Sequence, residues 1–265
     1  MGFHHTFLFE LYKTLFYNIY DLIKRSINMF TVNHFIWLGI CLIFILIMLF
    51  LSLKYKFSLK KASLIMTFIC LASEISKMMS DMQDNPAGGM SLDPRSLPFH
   101  LCSLMIFVVF YICFAKDNRF KDILINFLAV MGSVGSFMAL LIPTNGVAFN
   151  EIGPYQCFVF HSGLMWFAIY LIATKKANLG LRSYLINLIV LASLAFLMIY
   201  INGALSAYGT NFFYLVRPPM DNLPILNLDH GWYVYFISIM LSGLILLSLF
   251  HLPFIIIERR NIKHV

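Results

Sequence analysis

Seven stretches of the chain are almost continuously apolar: His34–Leu53, Lys61–Ser80, Leu97–Ala115, Phe120–Ile142, Tyr155–Thr174, Arg182–Asn202 and Tyr233–Ile257. Each is close to the roughly 20 residues that a helix needs to cross about 30 Å of hydrocarbon. The second is the most polar. The first thirty residues follow a different pattern. Leu8, Leu11, Leu15, Ile19 and Leu22 recur at helical spacing, while Glu10, Lys13, Asn18, Asp21 and Arg25 fall largely elsewhere around the wheel. This predicts an amphipathic helix over residues 1–31, lying on the outer membrane surface or packed on the bundle. It lacks the basic start, unbroken apolar stretch and small-residue cleavage site of a signal peptide. The expected fold is all-α: a polytopic membrane bundle of seven transmembrane helices over 32–265, preceded by the amphipathic helix, with no internal repeat.

Composition agrees. Of 265 residues, 60% are hydrophobic and only 12% charged, against about 25% charged in soluble domains. That excludes a soluble globular domain and a disordered chain. The net charge of +7 is read by position rather than as a nucleic-acid signal. Lys54, Lys56, Lys60 and Lys61 lie between spans one and two, Lys116, Arg119 and Lys121 between three and four, and Lys175, Lys176 and Arg182 between five and six. Arg259, Arg260 and Lys263 follow span seven, whereas the opposite loops hold only Arg95 and Arg217. Short basic loops stay in the cytoplasm, so a cell-membrane protein with its N-terminus outside and its C-terminus inside is expected.

Candidate chemistry lies in the spans. Cys41, Cys70, Cys102, Cys113 and Cys157 show no CxxC pairing and no metal-ligand spacing, so free thiols and no metal are expected, and no cofactor motif is present. Ionisable side chains inside a membrane are costly and usually face protein or water. Glu74 and Lys77, three residues apart, share a helix face with Cys70 and Asp81. Span three opens Leu97-Pro98-Phe99-His100-Leu101-Cys102-Ser103, with Pro98 read as a helix-start proline; His100 and Cys102, two apart, point to opposite sides. His161 lies within span five, and Ser136 belongs to a small-residue patch, Gly132-Ser133-Val134-Gly135-Ser136, that lets helices approach. Glu74, His100, Cys102, Ser136 and His161 thus come to similar depth on four helices, which predicts one polar pocket. The long outer loop, with Asn211, Arg217 and two following prolines, is either a lid over the bundle or a segment resting on the interface.

The seven-span plan, the Leu-Pro-Phe-His-Leu-Cys-Ser start, His161 and the Asn211–Pro219 stretch Asn-Phe-Phe-Tyr-Leu-Val-Arg-Pro-Pro together resemble the bacterial YwaF-type integral membrane proteins. That family looks related to eukaryotic transmembrane protein 164, a phospholipid acyltransferase that uses a cysteine and a histidine. The resemblance implies a membrane-lipid substrate and makes His161 the counterpart of the family's second histidine. The eukaryotic Pro-Cys-His motif aligns with Pro98-Phe99-His100, which puts Phe99 at the nucleophile position and leaves Cys102 as the nearby thiol.

Two functions fit. In a lipid-modifying enzyme, Cys102 attacks an acyl carbonyl, His161 or His100 acts as base and Glu74 orients it, with Lys77, Asn211, Arg217 and Ser136 binding substrate. In a small-solute transporter or membrane binding subunit, the same groups line a hydrated path. Odd-numbered spans without a repeat speak against the common inverted-repeat transporter plan.

Overall fold

The computed structural model describes residues 30–84, 90–219 and 225–263. The amphipathic helix expected over 1–31 lies almost wholly outside these described residues. The chain forms α1 (Val32–Lys54), α2 (Leu59–Asp81), α3 (Leu101–Phe114), α4 (Arg119–Leu141), α5 (Ile152–Ala173), α6 (Leu181–Ala204) and α7 (Trp232–Lys263). Beyond the all-helical expectation, a short antiparallel hairpin pairs β1 (Met82–Asp84) with β2 (Met90–Leu92) after α2. Side-chain caps start three of the helices: Thr31 receives the His34 N–H, Ser58 that of Lys61 and Asn118 that of Lys121.

Among the described residues six helices, all but α3, are long and apolar enough to cross a membrane. The exception corrects the expected third span. Helix α3 has 14 residues, about 21 Å at 1.5 Å per residue, and does not begin at Leu97. Pro98 restricts the residue before it to extended backbone, and Leu97 has ψ 145°. His100 is also extended, at φ −69° and ψ 150°, so Pro98 lies ahead of the helix rather than in its first turn. At the other end, the Lys60 ammonium reaches the Cys113 carbonyl and Lys121 the Ala115 carbonyl. Both cations complement the negative end of the α3 dipole, and Ala115 turns away in extended backbone.

Helix α5 is the axis of the bundle, packed against α1, α2 and α4, while α3 sits between α2 and α4, and α6 and α7 pack on α4. Its lower half buries Leu164, Trp166, Phe167, Tyr170 and Leu171 almost completely. The polar atoms of this apolar core reach across to α1 and the turn after it: Trp166 Nε1 donates to Ser52 Oγ at 3.0 Å, and the Tyr170 hydroxyl to the Phe57 carbonyl at 2.8 Å. At the other end of α1, wholly buried His34 donates from Nε2 to the Leu140 carbonyl at 2.8 Å, and Trp37 Nε1 to Val147 O at 3.2 Å. Two glycines set the close approaches. A Cβ on Gly132 of α4 would stand 3.1 Å from the Ala168 Cβ, and one on Gly163 of α5 would stand 3.0 Å from Ile69 Cδ1 of α2.

Gly132→Leu is expected to force α4 from α5 and destabilise the bundle by about 2–3 kcal/mol, the usual cost of overpacking. Thermal unfolding in detergent measures it; an unchanged midpoint would show that this seam is loosely packed.

Candidate functional site

The α4–α5 seam holds the first group of candidate residues. On α5, His161 Nδ1 lies 2.7 Å from the Cys157 carbonyl one turn earlier and 3.5 Å from the Cys157 thiol. A carbonyl can only accept, so Nδ1 carries the proton and donates it there. The neutral ring then presents Nε2 as an acceptor. Across the seam, a Cβ on Gly135 would stand 3.5 Å from Cys102 Sγ, which places the thiol of α3 against α4. Cys102 and Cys157 are within electrostatic reach of each other. Ser136, the next residue of α4, is wholly buried and its hydroxyl has no hydrogen-bond partner among the described residues. All five cysteines are free thiols.

The second group lies between α2 and the start of α3. Glu74 Oε1 is 2.7 Å from Lys77 Nζ, with both side chains under one-fifth exposed. The contact is an ion pair without an aligned hydrogen bond, since Oε1 takes none. Lys77 is close enough to act electrostatically on His100. Ser73, the residue just before Glu74, accepts a hydrogen bond from Gln156 of α5 at 2.7 Å. The structure therefore brings Glu74 to Lys77 and Lys77 to His100, and brings Cys102 and Cys157 towards His161. No hydrogen bond or ion pair among the described residues joins Glu74 to either histidine.

His100 is the N-cap of α3 but makes no side-chain capping bond; its ring instead packs on the loop after α6. Its centroid is 5.4 Å from that of Phe212 and 5.2 Å from that of Tyr214, and Phe99 meets Phe212 edge-on at 5.3 Å. The Phe-His and Asn-Phe-Phe-Tyr stretches, far apart in sequence, are thus one structural unit. The turn before them, Pro94–Ser96, is capped by Asp93, whose carboxylate also holds Arg95. Burial alone would raise the Asp93 carboxyl pKa, but the Arg95 hydrogen bonds and charge outweigh it and hold the group below its ordinary value.

The loop itself is pinned from both flanking helices. Buried Asn202 of α6 grips Phe212 twice, donating to its carbonyl at 3.0 Å and accepting from its N–H at 2.8 Å. From α7, Trp232 Nε1 donates to Leu215 O at 3.0 Å and the Tyr235 hydroxyl donates to Tyr214 O. These bonds hold Phe213 and Tyr214 at φ 58° and 54°, a left-handed conformation that non-glycine residues keep only when their surroundings impose it. Asn211 closes the next turn with its whole amide: Oδ1 accepts from the N–H groups of Val216 and Arg217, and Nδ2 donates to Arg217 O. The exposed Arg217 guanidinium donates to Gly209 O at 3.2 Å. Both residues expected to bind substrate are therefore engaged in shaping the loop.

A model of the TMEM164 family matches residues 29–251, from the start of α1 into α7. The chain belongs to the TMEM164 family. With its long apolar helices, this makes it a multi-pass integral membrane protein. No curated protein and no solved structure matches it. In this TMEM164 family member, Phe99 is part of an apolar cluster with Phe212, Leu215 and Met198, a packing role that suits a side chain with no reactive atom.

A small apolar groove of about 80 Å³ lies on the α1 side of α5, lined by Trp37, Cys41, Phe158 and Ser162 among others. It contains neither histidine nor carboxylate, so the acid–base groups belong to the seam and not to the groove. Among the described residues no cluster of three or more His, Cys, Asp or Glu side chains is placed to hold a metal. Cys157 is a partner of His161 absent from the expected site residues, and their i, i+4 spacing is the signal in the sequence that points to it. Also absent is Asn202, which looks like the polar end of an apolar run and shows its role only through contacts made ten residues on.

Asn202→Ala leaves the buried N–H and C=O of Phe212 unpaired, a cost of about 2–4 kcal/mol confined to the loop. Hydrogen exchange is expected to accelerate across 211–217 while α5 stays protected; unchanged exchange in the loop would show that Asn202 does not hold it.

Proposed function

We propose that this protein is a membrane-embedded lipid-modifying enzyme of acyl-transfer or ester-hydrolysis type, with His161 as its general base. The observation that carries the reading is the His161 geometry. Its Nδ1 proton is committed to the Cys157 carbonyl, so Nε2 is free to take a proton in a setting of thiols and an unpaired hydroxyl. A polar side chain so deep in an apolar helix needs a reason to be there. The resemblance to a phospholipid acyltransferase that uses a cysteine and a histidine supports the same assignment.

In this reading Nε2 removes the proton of the attacking group as that group adds to an ester carbonyl, then returns it to the departing alkoxide. The attacking group is the Cys102 thiol in a two-step transfer, or the hydroxyl of water or of an acceptor lipid in a direct one. Cys102 makes no hydrogen bond to His161 among the described residues, which favours the direct route. His100, packed on the Asn211–Arg217 loop, would then receive the polar end of the lipid together with Lys77 and Glu74. A transporter for a small solute is the second reading, favoured by the Glu74–Lys77 ion pair inside an apolar helix.

The proposed topology has all seven helices in the bilayer, with α3 as a short member, the N-terminus outside and the C-terminus cytoplasmic. Basic loops on alternate sides support it. Single cysteines placed at Lys176 and Asn227 in a cysteine-free background are expected to label from opposite sides; labelling from one side would overturn it.

Mass spectrometry of phospholipids from cells with and without the protein tests the enzyme reading. His161→Ala is expected to abolish the change in acyl composition, with a rate loss of about 100-fold or more, while Cys102→Ser retains most of it. If Cys102→Ser alone abolishes the change at normal expression, thiol catalysis replaces the direct route. If the wild-type protein changes no lipid, the transporter reading takes its place.

A further inference from the structure

Several helix serines in this protein satisfy their hydroxyl on their own helix. Ser52, Ser63, Ser76, Ser133 and Ser162 each turn their hydroxyl back to a carbonyl three or four residues earlier. That back-bond is the usual way for a serine inside an apolar helix to satisfy its donor. Ser183 departs from it in the first turn of α6, where His251 already occupies the Leu179 carbonyl. Ser136 departs from it in the middle of α4, wholly buried, where no such competitor is found. A hydroxyl removed from water and left unbonded is unfavourable, and a group of this kind in a native fold calls for an explanation such as a ligand that completes it.

The packing register says where that hydroxyl is directed. Helices α4 and α5 are consecutive and antiparallel, and Gly132 of α4 meets Leu164 and Ala168 of α5. Ser136 is one turn further along the same face, so it meets α5 one turn earlier, over the stretch that contains His161. Gly135, beside it, faces α3, which leaves Ser136 to the α5 side. By this register the hydroxyl of Ser136 on α4 and the ring of His161 on α5 fall at one level of the seam. Small residues at 132, 133, 135 and 136 let the two helices approach closely along this stretch.

We propose that Ser136 is a substrate-binding residue that donates its hydroxyl proton to the carbonyl oxygen of a fatty-acyl ester lodged in the α4–α5 seam. The ester alkoxy side then lies towards His161. This deepens the enzyme reading above and rests on it for the identity of the ligand as an acyl ester. The donor fits a carbonyl oxygen, an acceptor with two lone pairs, and has nothing to offer an alkyl chain without one.

The test is the thermal shift of the purified full-length protein in detergent, titrated with methyl oleate and, separately, with 1-octadecene, which lacks the carbonyl. Methyl oleate is expected to stabilise the wild-type protein and Ser136→Thr, and to bind Ser136→Ala about tenfold more weakly, while 1-octadecene does not distinguish the three. Without ligand, Ser136→Ala is expected to melt no lower than wild type, since its hydroxyl makes no bond in the free protein. Equal methyl oleate affinity for wild type and Ser136→Ala overturns the proposal, as does a lower unliganded midpoint for Ser136→Ala. If that equality is found while lipid turnover still requires His161, this inference fails and the enzyme reading stands. If Ser136-dependent binding is found without turnover, the carbonyl site stands and the enzyme reading fails.

Discussion

Enclosure of α5 by three other helices is the constraint on which the rest of this bundle depends. Inside a bilayer the lipid is as apolar as leucine, so burial of hydrophobic side chains gives little drive for helices to associate. Close packing and the satisfaction of polar groups have to hold the assembly together. Both are concentrated on α5. Gly163 lets α2 approach it and Gly132 lets α4 approach it, while Trp166 and Tyr170 spend their donors on the end of α1 and the turn after it. Along the same helix, the hydrogen bond that satisfies His161 Nδ1 comes from α5's own backbone. A histidine held this way needs no second residue to orient it, and its Nε2 is aimed by the helix itself.

The short α3 follows from the same economy of polar groups. Its carbonyl end is satisfied by Lys60 and Lys121, whose long stems carry charge from the basic side to the helix terminus. Its amino end starts late because Pro98 and the turn at Pro94–Ser96 hold the chain extended. The Asn202-pinned loop covers that end through Phe212 and Tyr214. The two stretches most characteristic in sequence thereby meet in space, which explains how a Leu-Pro-Phe-His motif and an Asn-Phe-Phe-Tyr motif come to be features of one architecture.

Much of this fold was legible in the sequence because apolar runs of about 20 residues have one physical meaning in a chain with so few charges. The limits of five helices follow from those runs to within a few residues, and α7 continues past Ile257 to Lys263. The third did not, because hydropathy counts Leu97, Pro98 and Phe99 as membrane residues and is blind to the backbone that proline imposes. The site was legible only as types of residue at similar depth. Depth along a helix says nothing of azimuth, so Glu74, His100 and His161 read as one set, whereas the contacts join Glu74 to Lys77 and His161 to Cys157. Asn211 and Arg217 read as ligands because polar loop residues beside an apolar mouth suggest binding; what the sequence did not show is that they also bond backbone groups of the same loop.

The central claim is that the polar seam around His161 performs acyl chemistry on lipids. The most direct measurement uses the purified protein reconstituted into vesicles of phosphatidylcholine and phosphatidylethanolamine carrying an isotope-labelled acyl chain. The products are followed by mass spectrometry. The account predicts that labelled chain appears as free fatty acid or on a second lipid, at a rate proportional to wild-type protein and absent with His161→Ala. Folded wild-type protein that leaves every labelled chain on its original lipid would contradict it.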